Sequence, residues 1–252
     1  MKNKILLMTV AISFIAINCM AQVGSKPLTV TDADGNVYST VKIGNQVWTV
    51  ENLRTTKYND GTPIPLVKDS SAWVALKTPG YCYYNNTSNA GIIKKNGALY
   101  NWYVVNTDKL APKGWHVPTD EEWTQLETYL VLKGYNWDGT TDASQNNNIA
   151  KSLASKSAWN LYNPNQDANK EELKGQIGND LTKNNRSGFS ALPGGYRNFN
   201  GFHNQGSEGY WWSSDDKNSN AYFRSLYYDS DNLVTDYYPK SCGFSVRLLK
   251  DI

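Results

Sequence analysis

The feature that most constrains the fold of this chain is its supply of large aromatic side chains. Nine Trp and 17 Tyr residues are present, and all of them lie beyond residue 21. Each buried aromatic side chain removes about 150–250 Å² from water, so short strands and long loops can still enclose a core. Because no repeat and no break in composition divides residues 22–252, we expect one α+β domain.

The first 21 residues are predicted to be a secretory signal peptide. Lys2 and Lys4 give a positive start, and Ile5–Ile17 is apolar apart from two small hydroxyl residues. Small side chains around Cys19–Ala21 fit a cleavage site after Ala21. The apolar segment is shorter than the about 20 residues that span a membrane. The predicted boundaries are therefore a signal peptide over 1–21 and a domain over 22–252.

An alternative is that Cys19 becomes the lipid-modified first residue of a lipoprotein. The enzyme that cleaves before such a cysteine prefers a small residue where Asn18 stands. Soluble export is therefore the preferred prediction. We expect a secreted, periplasmic or cell-surface protein with no membrane span in its mature chain.

The charge of the mature chain excludes some partners. Removal of Lys2 and Lys4 lowers the number of basic residues from 25 to 23, which equals the 23 acidic residues. A nucleic-acid-binding protein would show a clustered basic face, so we predict no nucleic-acid partner. The two remaining cysteines, Cys82 and Cys242, either pair in an oxidising compartment or are small buried hydrophobes.

Strands are predicted near both ends of the mature chain. Residues 28–53 combine β-branched and aromatic segments with a tight-turn signal at Asp34-Gly35, which is typical of an antiparallel meander. Residues 187–249 alternate short apolar segments with Gly-rich or Asp-rich turns. The Pro- and Asn-rich stretch over 59–97 is predicted to be a loop that contains one short aromatic strand.

Two helices are predicted between these strand regions. Thr119–Leu130 has apolar residues at helical spacing, and Thr119 with Glu122 forms a capping box at its start. A second short helix is predicted near Asn147–Ser155, where apolar residues also recur at helical spacing.

Catalytic and metal-binding patterns are not found in the sequence. His116 and His203 are the two histidines, and neither lies in a close ligand spacing. We interpret His116 as a hydrogen-bonded structural residue and His203 as a solvated one. The acidic string from Asp32 to Asn36 resembles a calcium loop, but its twelfth position is Ile43 rather than Glu, so a hairpin turn is predicted.

No cofactor is therefore expected, with calcium left open at two acidic turns. Solvated turn residues are the preferred interpretation of these acids. They are Asp215, Asp216, Asn218, Asp229 and Asp231.

Nine ordered strings give the chain a family resemblance. They are Asp-Gly-Asn-Val-Tyr at 34–38, Val-Lys-Ile-Gly-Asn-Gln-Val-Trp at 41–48, Glu-Asn-Leu at 51–53, Tyr-Cys-Tyr-Tyr-Asn-Asn at 81–86, Gly-Ala-Leu-Tyr-Asn-Trp at 97–102, Gly-Trp-His-Val-Pro-Thr at 114–119, Gly-Phe-Ser-Ala-Leu-Pro-Gly-Gly-Tyr-Arg at 188–197, Gly-Tyr-Trp-Trp-Ser-Ser at 209–214 and Gly-Phe-Ser-Val-Arg at 243–247. Together they resemble the Fibrobacter succinogenes major paralogous (FISUMP) domain family of exported and surface proteins.

The resemblance implies a fold and departs from the family at its cysteines. The family is similar to the C-type-lectin-like fold of formylglycine-generating enzymes, which implies short antiparallel strands, two helices and long loops. Ala111 and Leu248 stand where members often carry cysteines, and Cys82 lacks its usual neighbour. The resemblance therefore leads us to expect a Cys82–Cys242 disulfide. It carries no catalytic residue over to this chain.

Aromatic residues beside Gly-rich loops are the candidate ligand contacts, since a Tyr or Trp ring offers a flat apolar face and a polar tip. Arg197 either contacts a ligand or braces the loops, and bracing is preferred. The candidates are Tyr196, Arg197, Phe199, Phe202, Tyr210 and Trp212.

The sequence thus favours an exported, non-enzymatic binding or adhesion module whose ligand is a glycan or a surface protein. One alternative is a polysaccharide-acting enzyme with a carboxylate pair about 5–9 Å apart. Another is a purely structural surface protein. The sequence does not indicate an oligomeric state.

Overall fold

Short antiparallel strands make up most of the regular structure. The computed structural model describes residues 28–144, 147–162, 170 and 173–251. The predicted signal peptide, with Cys19, lies outside the described residues. Within them, no helix is long and apolar enough to cross a membrane. Helices and antiparallel sheets occur together, so the α+β prediction is confirmed.

Twelve strands of the described chain form four sheets. They are β1 (Thr29–Thr31), β2 (Val37–Ile43), β3 (Gln46–Thr49), β4 (Tyr81–Cys82), β5 (Leu99–Tyr100), β6 (Trp115–His116), β7 (Tyr196–Asn198), β8 (Gly201–His203), β9 (Glu208–Lys217), β10 (Asn220–Tyr227), β11 (Val234–Pro239) and β12 (Leu249–Lys250). The largest sheet has the order β1-β2-β3-β12-β6, and a second has the order β11-β10-β9. The pairs β4-β5 and β7-β8 complete the set.

Five α-helices occur in the described residues, three more than the sequence predicts. They are α1 (Ser70–Ala75), α2 (Ala90–Asn96), α3 (Trp102–Val105), α4 (Asp120–Leu132) and α5 (Ala150–Leu153). The loop predicted over 59–97 is wrong where α1 and α2 form. Side chains of Asp69 and Asn89 cap these two helices, but α1 buries only Trp73 and α2 buries no residue. Neither helix therefore shows the apolar periodicity by which a sequence indicates a helix.

The predicted helix with the capping box is confirmed. The Thr119 side chain accepts from the Glu122 backbone N–H, and the Glu122 carboxylate accepts from the Thr119 backbone N–H. The turn between β1 and β2 is also as predicted. The Asp32 carboxylate accepts from the backbone N–H of Asp34 and of Asn36, both at 2.9 Å, and from the Tyr38 hydroxyl at 2.5 Å.

The β9-β10 hairpin lies between two apolar clusters. Alternate residues of a strand point to opposite faces, so Trp212 and Phe223 face one cluster while Trp211 and Leu226 face the other. The first cluster includes Tyr100, Trp102, Tyr210, Trp212, Phe223 and Phe244. The second cluster includes Trp48, Trp123, Phe189, Trp211 and Leu226. The hairpin is therefore a shared wall of both halves of the core.

Buried arginines tie loops to this framework. Arg247 has no exposed surface, and its guanidinium donates to the Asn52 side-chain oxygen at 2.8 Å and to the carbonyls of Thr49, Phe189 and Ser190 at 2.8–3.1 Å. Burial lowers the pKa of Arg247 to about 9. Two of these carbonyls, those of Phe189 and Ser190, lie outside the strands, and Arg247 supplies the donors that a buried carbonyl needs.

We expect Arg247→Met to lower the free energy of unfolding by about 2–4 kcal/mol, because buried carbonyl acceptors would lose their donor. Urea unfolding followed by circular dichroism measures the change. The matched control is Arg186→Met, since Arg186 is exposed, and it should change stability by less than about 1 kcal/mol. Equal losses in the two variants would contradict a bracing role for Arg247.

The Cys82–Cys242 disulfide expected from the resemblance is wrong in this structure. Both residues are buried free thiols. Cys82 pairs with Leu99 on one side of β5, whereas Phe244 pairs with Tyr100 on its other side. Two strand spacings, roughly 9–10 Å, therefore separate the segments that carry the cysteines, and a disulfide needs Cα atoms within about 7 Å.

We expect the mature chain to gain two alkyl groups when it is unfolded and treated with iodoacetamide without reductant. In the folded state both thiols should react slowly, because burial raises the pKa of Cys82 to about 11 and that of Cys242 to about 12, and the thiolate is the reactive form. Intact-mass spectrometry counts the adducts. An unfolded chain without adducts would instead indicate the disulfide.

Candidate ligand-binding surface

Two of the predicted ligand contacts are core residues. Trp212 is fully buried, its indole N–H donates to the Tyr100 carbonyl at 2.8 Å, and its ring lies 4.2 Å from that of Phe244. Tyr210 is 8% exposed and stacks on Phe244 at 4.9 Å. The prediction that these two rings contact a ligand is wrong, because their face of β9 is covered by the first cluster.

Arg197 is also buried, and its contacts match the preferred bracing interpretation. It is 1% exposed, and its guanidinium donates to the carbonyls of Val67, Lys68 and Asp69 at 2.7–3.1 Å. The same group lies 4.4 Å from the Trp73 ring. It therefore joins the β7-β8 hairpin to the segment that leads into α1, and it is not available to a ligand.

The other three predicted contacts lie on the β7-β8 hairpin. Phe199 at the tip is 67% exposed, whereas Tyr196 and Phe202 are partly buried. A glycine is required where the hairpin begins, since Gly195 has φ +66° and a Cβ there would lie 2.4 Å from the His203 carbonyl. This close approach holds the Tyr196 side chain beside Tyr210, with ring centroids 4.8 Å apart.

Tyr196 shares its surface with two tyrosines that the sequence analysis did not select. Tyr227 on β10 and Tyr238 on β11 are also partly exposed, and each ring rests on a ring of the first cluster. The ring centroids of Tyr227 and Tyr210 are 6.1 Å apart, and those of Tyr238 and Phe244 are 6.2 Å apart in a stacked orientation. We call Tyr196, Tyr227 and Tyr238 the tyrosine surface.

A carboxylate accompanies the tyrosine surface. Glu208 accepts a hydrogen bond from the Tyr210 hydroxyl at 2.5 Å. Burial, the Tyr238 phenol and the Glu208 carboxylate raise the pKa of Tyr196 to about 12. The Tyr196 hydroxyl therefore keeps its proton at neutral pH and can donate a hydrogen bond. The surface offers flat rings, hydroxyl groups that donate and accept hydrogen bonds, and one carboxylate, which together suit ligand binding.

Sequence reasoning missed Tyr227 and Tyr238 because it placed the candidates on loops. The pairing of Ala221 with Tyr238 and of Ser225 with Tyr210 brings these residues to one face of the sheet. The alternation of side chains within residues 221–228 and 233–238, on either side of the acidic turn at 229–232, carried this signal. The sequence pattern does not show how β10 and β11 lie relative to β7, so it could not place these two tyrosines beside Tyr196.

Comparison with known proteins gives the family. The model of the Fibrobacter succinogenes major domain matches residues 41–250 of this chain. The chain belongs to this family. No curated protein and no solved structure matches it, so the C-type-lectin-like fold stays a prediction.

The Gly-Trp-His string at 114–116 of this Fibrobacter succinogenes major domain has a structural role. His116 Nδ1 lies 2.6 Å from the Asp251 carboxylate, and Nε2 lies 2.9 Å from the Glu122 carboxylate. The ring thus links α4 to the chain after β12, as the structural interpretation of His116 predicts. His203 is hydrogen-bonded to the Asn198 side chain at 3.0 Å and packs on Tyr196, so it is not merely solvated.

The acidic turns of this chain also make structural contacts. The Asp215 carboxylate accepts from the Asp120 backbone N–H at 2.6 Å, and Asp216 pairs with Lys240 at 2.7 Å. Asp231 accepts from the Trp137 indole N–H at 3.3 Å. In the part of the chain that the structure describes, no group of three or more His, Cys, Asp or Glu could hold a metal ion.

We expect the His116 contacts to stabilise the fold most between about pH 4.5 and 6.5. Hydrogen bonds to Glu122 and Asp251 raise the pKa of His116 above 6.5, so its contribution is complete below that pH and is lost as the pH rises through the folded-state pKa. Burial opposes the shift at Glu122, but bonds to His116 and Thr119 lower its pKa below 4.5. Its contribution is lost as the pH falls through that lower value.

The measurement is the melting temperature of the wild type minus that of His116→Gln between about pH 4 and 9. This difference in melting temperature should be largest between about pH 4.5 and 6.5, and it should become smaller as the pH rises above that range. A difference that does not vary with pH would contradict the paired, protonated histidine.

Proposed function

We propose that this chain is an exported binding or adhesion module that holds a glycan on the tyrosine surface and breaks no bond in it. The observation that supports this proposal is the shared position of Tyr196, Tyr227 and Tyr238. They come from three strands, remain partly exposed, and rest on buried rings.

The chemistry of these residues suits a sugar. A pyranose ring presents a face of C–H groups and a rim of hydroxyls, and a tyrosine presents an apolar ring face and a hydroxyl. Because Tyr210 and Phe244 support the surface rings from below, little side-chain freedom remains to be lost on binding. The Glu208 carboxylate supplies an acceptor for sugar hydroxyls at the same place.

The same geometry gives less support to the enzyme alternative. Glycoside cleavage by the usual route needs two carboxyl groups facing each other across the scissile bond. Glu208 is the carboxylate whose charge acts on Tyr196, and it already accepts from Tyr210. An open aromatic face with one engaged carboxylate favours binding over turnover.

The experiment is a glycan array of residues 22–252, followed by titration calorimetry with the strongest ligand. Tyr238→Ala should weaken binding about tenfold, because a stacking ring and its hydroxyl are removed. The matched control is Tyr237→Ala. Tyr237 is adjacent on β11 and 42% exposed, against 37% for Tyr238, but it faces the opposite side of the sheet and should leave the affinity unchanged.

Three results would count against the proposal. Equal weakening in both variants would remove the tyrosine surface from the binding site. Release of reducing sugar ends from the bound glycan would support the enzyme alternative. Absence of binding to any glycan, with the variants and the wild type folded by circular dichroism, would favour a structural surface protein or a protein ligand.

A further inference from the structure

A basic cavity lies on the side of the second cluster, away from the tyrosine surface. Its volume is about 430 Å³, within the range of small-ligand pockets. Four cationic side chains and one indole line it, and no Asp or Glu is among the described residues of its wall. The lining residues are Trp137, Lys151, Ser152, Lys174, Lys183 and Arg186.

Lys151 places a buried positive charge in the wall of this cavity. The residue is 5% exposed, and its ammonium donates to the carbonyls of Gln176 at 2.8 Å, of Asn179, and of Asp180 at 3.4 Å. No described carboxylate forms an ion pair with it, since the Asp180 side chain pairs with Lys183 instead. A buried charge without a direct ion pair is costly, and burial lowers the pKa of Lys151 to about 8 although the Asp180 carboxylate opposes this shift.

Arg186 supplies hydrogen-bond donors at the cavity mouth. Its guanidinium lies 4.8 Å from the Tyr135 ring and donates once, to the Gly134 carbonyl. A guanidinium has five N–H donors in a planar fork, so most of them stay available. Among the described residues no carboxylate pairs with it. Stacking on Tyr135 holds the fork in one orientation, which suits bidentate binding of a carboxylate or sulfate.

Trp137 supplies a fixed aromatic face beside these charges. Its indole N–H donates to the Asp231 carboxylate at 3.3 Å. The backbone of Gly175 packs on the ring edge so closely that a Cβ there would lie 2.2 Å from the indole nitrogen. Both contacts fix the plane of the ring. A half-buried indole next to Lys151 and Arg186 offers stacking and charge recognition in one site.

We propose that the basic cavity binds an acidic saccharide, with a sugar ring against Trp137 and its carboxylate or sulfate between Arg186 and Lys151. Arg186 supplies the hydrogen bonds and Lys151 supplies the charge. A sugar acid fits better than a nucleic acid, because polynucleotide-binding domains are typically basic, whereas the mature chain carries 23 basic and 23 acidic residues. This site is separate from the tyrosine surface and does not depend on the function proposed there.

The experiment is titration calorimetry of residues 22–252 with trigalacturonate, sulfated galactotriose, neutral galactotriose and a short single-stranded oligonucleotide of equal charge. We expect binding of one or both acidic trisaccharides, weakened by added salt, and none of the neutral one. The two acidic ligands distinguish carboxylate from sulfate. Arg186→Ala should weaken binding at least about tenfold, which is typical of a lost hydrogen bond to a charged group.

Matched variants separate the site from general charge effects. Arg54→Ala also removes an arginine stacked on a tyrosine, 4.5 Å from the Tyr38 ring, and should leave the affinity unchanged. Trp137→Ala, or Trp137→Leu if the alanine variant does not fold, should weaken binding about as much as Arg186→Ala. Tyr238→Ala should have no effect, so failure here is distinguishable from failure of the proposed function.

Several results would overturn the inference. Among the ligands, these results are absence of binding to both acidic trisaccharides, binding of the neutral trisaccharide as tight as that of the acidic ones, or tighter binding of the oligonucleotide. Among the variants, they are a loss of affinity in Arg54→Ala equal to that in Arg186→Ala, or an affinity that Trp137→Leu does not change.

Discussion

The structure depends on buried guanidinium groups that satisfy the carbonyls of its loops. A fold with short strands leaves many backbone oxygens without a ladder partner, and a buried oxygen without a donor is costly. Arg247 and Arg197 each donate to several carbonyls of segments that are distant in sequence. Arg224 performs a related task with a charged partner, because it joins β10 to Asp120 at the start of α4. Arg247 and Arg197 thus supply hydrogen bonds to loop carbonyls, whereas Arg224 links a strand to a helix through an ion pair.

This bracing explains how a loop-rich chain presents a rigid surface. Arg197 fixes the β7-β8 hairpin against the segment before α1, and Gly195 allows the backbone at the start of β7 to approach the His203 carbonyl at the end of β8. Tyr196 then rests on Tyr210, whose own ring stacks on Phe244. The buried Arg197 and the partly exposed Tyr196 ring are therefore held in place by a few contacts between side chains that have little freedom to move.

The sequence predicted those parts of the structure that depend on neighbouring residues. The capping box at Thr119 and the turn at Asp32 are local hydrogen-bond patterns, and both form as expected. Helices α1 and α2 were missed because their stability comes from caps and from a single buried side chain rather than from a periodic apolar face. The remaining features depend on how strands that are distant in sequence pair with one another. This pairing separates Cys82 from Cys242 and buries Trp212.

The position of β11 at the edge of its sheet has a further consequence for which tyrosines are displayed. Tyr237 and Tyr238 are neighbours, yet one belongs with Tyr222 on one face of the sheet and the other with Phe244 on the opposite face. A shift of one residue in strand pairing moves every side chain to the other face. Insertion or deletion of a single residue in the connection between β10 and β11 would therefore exchange which tyrosine is displayed on which side. A change of length in this connection would thus alter which rings are displayed, while the inner framework of rings and arginines stays the same.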